Sequence, residues 1–188
     1  MITYFESVQK TGQPFFVTVE KAIDRIRDGA SKEIVEKVRT ESDKTKRNEI
    51  KKGLPAICFS GKFNKRSDNS ILEHSGFICI DFDGYDDEWD MLNARHKFCN
   101  DKYSFAVFTS PSGDGMKVLV KIPKDVKNHK NYFLSLEKYY DCKEFDVTSK
   151  NISRVCYESY DPEIYVNYES VEWNEILVEE HQTFDTST

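Results

Sequence analysis

The sequence predicts an α/β (α+β) domain in which helices flank a mixed or largely antiparallel sheet. Apolar runs of strand length alternate along the chain with segments whose apolar residues recur at helical spacing. The short turn at residues 110–115 joins two of these runs, so they must pair as an antiparallel hairpin, because a parallel crossover needs a dozen or more residues. With 188 residues, 38% of them hydrophobic, the chain can bury the core of one domain.

Residues 1–52 are predicted to form a helical lead-in to this domain. Residues 17–28 show helical spacing, with Thr18 as the N-cap and Gly29 as the stop. Ser31 then begins a second helix that runs to about residue 50.

Residues 53–167 are predicted to form the core. Its elements, in order, are strands 56–59 and 76–82, helix 86–98, strands 103–109 and 116–122, helix 125–140, and strands 154–157 and 163–166. A terminal helix at 168–180 completes a single domain of residues 1–180, and residues 181–188 form a tail or linker.

Composition narrows the classes of function. No apolar run approaches the roughly 18 residues of a membrane span, and the N-terminus lacks the basic-then-apolar order of a signal peptide. The five cysteines are scattered without a C-x-x-C pair, which favours reduced thiols in the cytoplasm and argues against a zinc site. A net charge of −6 argues against nucleic-acid binding, but the basic run at 44–52 fits either a solvated face or a contact for a template strand.

An apolar strand that ends in Asp81-Phe82-Asp83-Gly84 is the most informative motif. Side chains at i and i+2 of a strand share a face, so Asp81 and Asp83 are expected to project together. Adjacent carboxylates repel each other unless a cation neutralises them, and hard oxygen ligands suit Mg²⁺ or Mn²⁺. The pair is therefore a candidate metal site. The alternative is that the acids only end a strand and cap the next helix.

A glycine-rich turn follows, in the segment Ser110-Pro-Ser112-Gly113-Asp-Gly115-Met-Lys117. Its two glycines let the backbone pass close to a ligand. Ser112 offers a hydroxyl group, and Lys117 offers a positive charge to a phosphate. Taken alone, the segment is equally consistent with an ordinary hairpin that carries a lysine.

A third motif pairs Asp146, which follows Phe145, with Arg154. Asp146 is a candidate third metal ligand. The planar guanidinium of Arg154 suits a phosphate, because it binds two oxygens at once. An ordinary loop aspartate and surface arginine would give the same pattern.

Together, the three motifs in this order resemble the archaeo-eukaryotic primase superfamily. Those primase-polymerases carry D-x-D or D-x-E on one strand, a Ser-x-His strand motif and a third acid. Residues 45–167 more closely resemble the N-terminal domain of VirE-type proteins of bacterial mobile elements. The segments that carry this second resemblance are Lys52-Gly-Leu54-Pro55-Ala-Ile-Cys-Phe59-Ser60-Gly61-Lys-Phe63, His74-Ser-Gly76 and Ser159-Tyr-Asp161-Pro162. The chain departs from the primase pattern at Lys117, where many members have His.

The resemblance implies a primase-polymerase-like catalytic core that adds an NTP or dNTP to a 3′-hydroxyl on a nucleic-acid template, in DNA replication. It implies three catalytic residues that also bind Mg²⁺ or Mn²⁺, namely Asp81, Asp83 and Asp146. It implies a nucleotide-binding set of Ser112, Gly113, Gly115, Lys117 and Arg154. The implied partners are nucleoside triphosphates, single-stranded or primed DNA, and a helicase domain or protein; no membrane is involved.

Two other functions stay open at this point. A catalytically degenerate module that binds a nucleotide or single-stranded nucleic acid fits the acidic net charge and Lys117. A haloacid-dehalogenase-like phosphatase fits the D-x-D-G opening. Against the phosphatase, Tyr85 stands where a Thr is expected, and the hairpin at 103–122 leaves no room for a parallel crossover.

Overall fold

A computed structural model describes residues 1–177. Its elements in chain order are β1 Ile2–Phe5, β2 Phe15–Val17, α1 Val19–Asp28, α2 Lys32–Thr40, α3 Lys44–Lys51, β3 Ala56–Cys58, β4 Gly61–Phe63, a 3-10 turn Asp68–Ser70, β5 Ile71–His74, β6 Phe77–Asp83, α4 Glu88–Cys99, β7 Ser104–Thr109, β8 Gly115–Lys121, α5 His129–Tyr140, β9 Cys156–Tyr157 and β10 Tyr165–Val166.

The strands form two four-stranded sheets and one two-stranded ribbon. The strand orders are β2-β1-β3-β9 in the first sheet, β10-β7-β8-β6 in the second, and β4-β5 in the ribbon. Within residues 1–177 every registered strand pair is antiparallel. This confirms the predicted α/β class with an antiparallel sheet flanked by helices. It also leaves no parallel crossover of the kind expected of a haloacid-dehalogenase-like phosphatase.

The second sheet is buried on both faces. On one face, Ile80 and Phe82 of β6 pack with Phe133 and Leu136 of α5. On the other face, Leu119 of β8 joins a core shared with the first sheet and α1. Because side chains alternate along a strand, each strand of this sheet serves both cores.

The N-terminal segment differs from the predicted helical lead-in. The helix α1 is confirmed, with the Thr18 hydroxyl accepting from the Lys21 amide and Gly29 in the left-handed region. The second predicted helix is in fact two, α2 and α3, separated at 41–43. The segment also contains two strands, and β1 lies between β2 and β3 at the centre of the first sheet. All four residues of β1 are buried, so the strand lacks the alternation of buried apolar and exposed polar residues that predicts a strand.

A buried carboxylate ties this segment to the end of the chain. Glu158 is fully buried and accepts hydrogen bonds from Tyr4 (2.8 Å), Arg25 (2.7 and 3.0 Å) and Ser31 (2.5 Å). A buried charge is tolerated only when it is paired and hydrogen-bonded. The first 52 residues are therefore part of the fold.

The predicted terminal helix is wrong over residues 168–177, which form a turn and irregular chain. The backbone amide of Trp173 donates to Lys121 (2.8 Å) and that of Leu177 donates to Asn131 (3.1 Å), so these amides bond to other elements. The indole of Trp173 is buried and donates to Ser135. The rest of that helix and the tail at 181–188 lie outside the described residues. Among residues 1–177, no helix has both the length and the apolarity to cross a bilayer.

Candidate functional site

The candidate site forms where β6 and β8 lie side by side. Asp81 is registered opposite Lys117, and Asp83 is registered opposite Gly115. Since Phe82 points into the helical core, Asp81 and Asp83 point to the opposite face of the sheet. The sequence prediction that the two acids share a face therefore agrees with the backbone register.

The Asp81 carboxylate and the Lys117 ammonium form an ion pair, and both residues are buried. Burial by itself would lower the pKa of Lys117, but the charge of Asp81 outweighs it and raises that pKa above its ordinary value. Lys117 is thus a charged lysine. Its charge is already engaged by Asp81 in the absence of a nucleotide.

Asp83 lies at the open rim of the same face and is exposed. Partial burial raises the pKa of its carboxyl, and the charges of Asp81, Asp114 and Asp146 raise it further despite the opposing effect of Lys117. The rim therefore carries more negative charge than the nearby lysine neutralises.

Gly115 makes room for Asp83. A Cβ atom at this position would lie 2.1 Å from Asp83 Oδ1 and 2.7 Å from the Phe82 carbonyl oxygen. Contacts that short are not tolerated, so only glycine fits opposite Asp83. The packing against Asp83 therefore explains why position 115 is a glycine, independently of any role in binding a nucleotide.

Asp146 reaches the site because residues 144–146 pair with β6 along its free edge. The Asp83 amide donates to the Glu144 carbonyl (2.8 Å), and the Asp146 amide donates to the Asp81 carbonyl (2.9 Å). Phe82 and Phe145 are bridge partners, and both side chains lie in the helical core. Asp146 therefore shares the face of Asp81 and Asp83, as directly opposed residues do.

The Asp146 carboxylate is held by four donors. Oδ1 accepts from the Thr148 amide (3.0 Å) and hydroxyl (2.6 Å), while Oδ2 accepts from Ser149 Oγ (2.7 Å) and Arg154 Nη2 (3.2 Å). Burial alone would raise the pKa of Asp146, but these hydrogen bonds and the Arg154 charge outweigh it and hold the pKa below its ordinary value. Asp146 is accordingly ionised and fixed in orientation.

The three acids do not by themselves make a metal site. Within residues 1–177, no three His, Cys, Asp or Glu side chains are arranged to hold a metal ion. Lys117 occupies an oxygen of Asp81, and both oxygens of Asp146 are taken by donors. Their chemistry suits Mg²⁺ or Mn²⁺, but their present contacts do not, so the metal site stays a prediction.

Arg154 converges on the same region as Asp81. Both line a small cavity of about 20 Å³ that also contacts Cys79, His129 and Cys156. The Arg154 Nε atom is buried and has no hydrogen-bond partner among the described residues. The sequence prediction that Arg154 and Asp146 act near Asp81 is consistent with this placement.

The turn at 110–115 closes upon itself. The Ser110 amide donates to the Gly115 carbonyl (2.8 Å), and the Gly113 amide donates to the Ser110 carbonyl (3.0 Å). Gly113 has φ 80°, which strongly favours glycine. The Gly113 amide is thus already hydrogen-bonded within the turn, and Ser112 is half-buried.

Lys51 and Arg39 also contact this turn, although no sequence motif predicts this role for either of them. Lys51 Nζ donates to Ser112 Oγ (2.8 Å), and Arg39 Nη2 donates to the Ser110 carbonyl (3.1 Å). Lys51 belongs to the basic run at 44–52, whose composition fits either a solvated face or a contact for a template strand. Arg39 lies on α2, 71 positions before Ser110, and no local pattern in the sequence links the two.

The fold and the site together define a class of protein. It is an antiparallel α/β domain in which the ion pair of Asp81 and Lys117 lies beside the glycine-rich turn at 110–115. Residues 49–166 match the family described as BT4734-like, N-terminal domain, and the chain belongs to that family. The primase-polymerase AEP domain of cyanophage S-2L is similar with a TM-score of 0.45 and 17% identity, over 84% of this chain and 71% of that one. No curated protein matches the chain.

Proposed function

We propose that the domain binds a nucleoside triphosphate on the face that carries Asp81, and transfers the nucleotide to a 3′-hydroxyl of a nucleic acid. One observation carries the proposal. The ion pair of Asp81 and Lys117 shares its face with Asp83 and Asp146, next to a turn that already binds Lys51. Lysines beside carboxylates suit a polyanion that arrives with a divalent cation.

In this proposal, Lys117, Arg154 and Ser112 contact the phosphates. Charge-assisted hydrogen bonds from such groups to phosphate are short and strong. Because Lys117 is paired with Asp81, the incoming phosphate competes with that carboxylate for the ammonium group.

The proposal also includes Mg²⁺ or Mn²⁺, held by Asp81, Asp83 and Asp146. When bound, such ions activate the attacking oxygen and stabilise the leaving pyrophosphate. Mg²⁺ commonly takes one or two protein carboxylates and completes its coordination with substrate phosphates and water. The three carboxylates would therefore supply only part of the metal's coordination, and the nucleotide phosphates and water would supply the rest.

A second candidate is a module that binds nucleotide or single-stranded nucleic acid without turnover. The buried Lys117 favours it, because an ammonium group already neutralises the acid that a catalytic metal would need. Four further points stay predictions for both candidates. They are binding to DNA, a helicase partner, a cytoplasmic location and the finer resemblance to VirE-type proteins.

Incorporation of a labelled nucleotide into a primed DNA template, with Mg²⁺ or Mn²⁺, tests the proposal. Asp83→Asn should abolish incorporation, and Asp86→Asn, which changes an exposed acid paired with Lys143, should not. Nucleotide binding without incorporation by the unmodified protein would support the binding module. If neither binding nor incorporation occurs, both candidates are excluded.

A further inference from the structure

We infer that Arg39 and Lys51, from two helices that precede the core, complete a phosphate subsite at the turn 110–115. The inference rests on the proposed function and adds the residues that would hold the outer phosphates of the nucleotide. Arg39 lies before the segment that matches the family, residues 49–166. The subsite would therefore extend beyond the region that the family description covers.

Lys51, which is half-buried like Arg39, contacts the tip of the turn. Its ammonium group donates to Ser112 Oγ at 2.8 Å and is only partly buried. Burial lowers the pKa of Lys51, and the charges of Asp114 and Asp83 oppose that effect. Lys51 thus contacts the turn through Ser112 and interacts with the charges of the two nearby acids.

Arg39 lies directly against the turn. A Cβ atom at Gly113 would come within 3.5 Å of Arg39 Cδ, Cγ and Nε. Its Nη2 atom bridges the carbonyl oxygens of Ser110 (3.1 Å) and Tyr160 (2.9 Å). The guanidinium group is therefore fixed at the turn by two backbone contacts.

Two donors at this position lack a partner. Arg39 Nε and Ser110 Oγ are both buried, and neither has a hydrogen-bond partner within residues 1–177. Most buried polar groups are hydrogen-bonded, and leaving one unpaired is costly. A phosphate oxygen could accept from both groups. Because both atoms are covered, a phosphate that accepts from them requires a shift of the turn 110–115 relative to Arg39.

The local charges indicate which form of phosphate fits. Asp83 and Asp114 lie near Lys51 and would repel a bare polyanion. A polyphosphate that carries Mg²⁺ presents both signs of charge. Its phosphate oxygens would attract Lys51, and its Mg²⁺ would attract Asp83 and Asp114. The subsite is thus suited to the Mg²⁺-bound triphosphate end of a nucleotide.

Calorimetric titration with Mg²⁺-tripolyphosphate, and separately with a Mg²⁺-nucleoside triphosphate, tests the inference. Lys51→Ala should raise both dissociation constants by roughly tenfold to a hundredfold, the effect of losing one charge-assisted contact. Arg39→Lys keeps a positive charge but loses the planar group, and should weaken binding as well. Lys44→Ala, an exposed lysine on the same helix as Lys51, should leave both constants unchanged. Melting temperatures identify any variant that fails to fold.

The outcomes separate the inference from the proposed function. If the unmodified protein binds tripolyphosphate but no nucleotide, and Lys51→Ala weakens that binding, the subsite stands and the proposed function falls. If the protein binds and incorporates the nucleotide and neither Lys51→Ala nor Arg39→Lys changes the affinity, the inference is overturned and the proposed function stands. If it binds neither probe, both are overturned.

Discussion

Asp81 on β6 and Lys117 on β8 are direct cross-strand partners, and their side chains form an ion pair. Only 9% of the surface of Asp81 and 7% of that of Lys117 is exposed. A buried pair contributes little net stability, because desolvation offsets the attraction between the charges. Removing one partner is different, since it leaves an uncompensated charge in the interior. The pair therefore couples the stability of the sheet to the chemistry of the site.

We expect Lys117→Met to destabilise the protein by about 3–5 kcal/mol, because it leaves the Asp81 carboxylate buried without its partner. Urea unfolding at pH 7 measures this loss. Adding Asp81→Asn to Lys117→Met should restore most of the stability, because the double variant has no buried charge.

The matched control for this pair is Lys62→Met, which removes the partner of Glu73 in a more exposed ion pair. It should cost no more than about 1 kcal/mol. Equal losses in Lys117→Met and Lys62→Met, or no recovery in the double variant, would contradict the buried ion pair.

We expect Asp83→Asn to raise the melting temperature slightly while it removes nucleotide incorporation. The pKa of Asp83 is raised in the folded protein by partial burial and by the neighbouring acids Asp81, Asp114 and Asp146. At pH 7 its charge is therefore less favourable in the folded than in the unfolded state, and neutralising it stabilises the fold. Thermal unfolding and an incorporation assay on the same sample check both effects. A lower melting temperature would show that Asp83 is a structural residue.

A buried histidine pair predicts a second pH dependence. His74 Nδ1 accepts from the Gly76 amide (3.0 Å), so its Nε2 carries the proton that faces His129 Nδ1 (3.1 Å). Burial lowers the pKa of His74 to about 4 and that of His129 to about 3. Both rings are neutral in the folded protein near pH 7.

The ordinary pKa of histidine is about 6.5. As the pH falls from that value towards 4, these two histidines become protonated in the unfolded chain but stay neutral in the folded protein. Stability should therefore fall over this window, by up to about 1.4 kcal/mol per pH unit for each ring. His74→Asn, which keeps an acceptor for the Gly76 amide, should make the dependence shallower. His96→Asn, on the solvent-facing side of α4, should not. Urea unfolding between pH 6.5 and 4.5 measures the slopes, and identical slopes in both variants would rule out the buried pair.

A chain that begins at residue 49, where the family match starts, should not fold cooperatively. Such a chain lacks β1, whose Ile2 and Tyr4 pack against Ile57 in the core. It also leaves Glu158 buried without the donors Tyr4, Arg25 and Ser31. Circular dichroism during urea titration checks this. A sharp transition in the shortened chain would show that the N-terminal segment is an independent addition.

Most helices and strands of the core could be predicted from local patterns in the sequence. The strands β6, β7 and β8 and the helices α1 and α5 all carry an apolar run, a clear period of apolar residues or a clear stop. The errors have physical causes. Strand β1 is buried throughout and shows no alternation. The terminal helix predicted at 168–180 is absent over 168–177, where Trp173 uses its indole and its backbone amide to dock on other elements.

The sequence by itself determined that Asp81 and Asp83 share one face, because the two-residue period of a strand is a local property of the backbone. It also determined the hairpin of β7 and β8, because the connection is too short for any other pairing. Only the tertiary structure decided what these acids face. The register between β6 and β8 sets Lys117 against Asp81, and the folding of the N-terminal helices brings Arg39 and Lys51 to a turn far along the chain. Such contacts depend on packing between distant segments, which no local pattern of residues encodes.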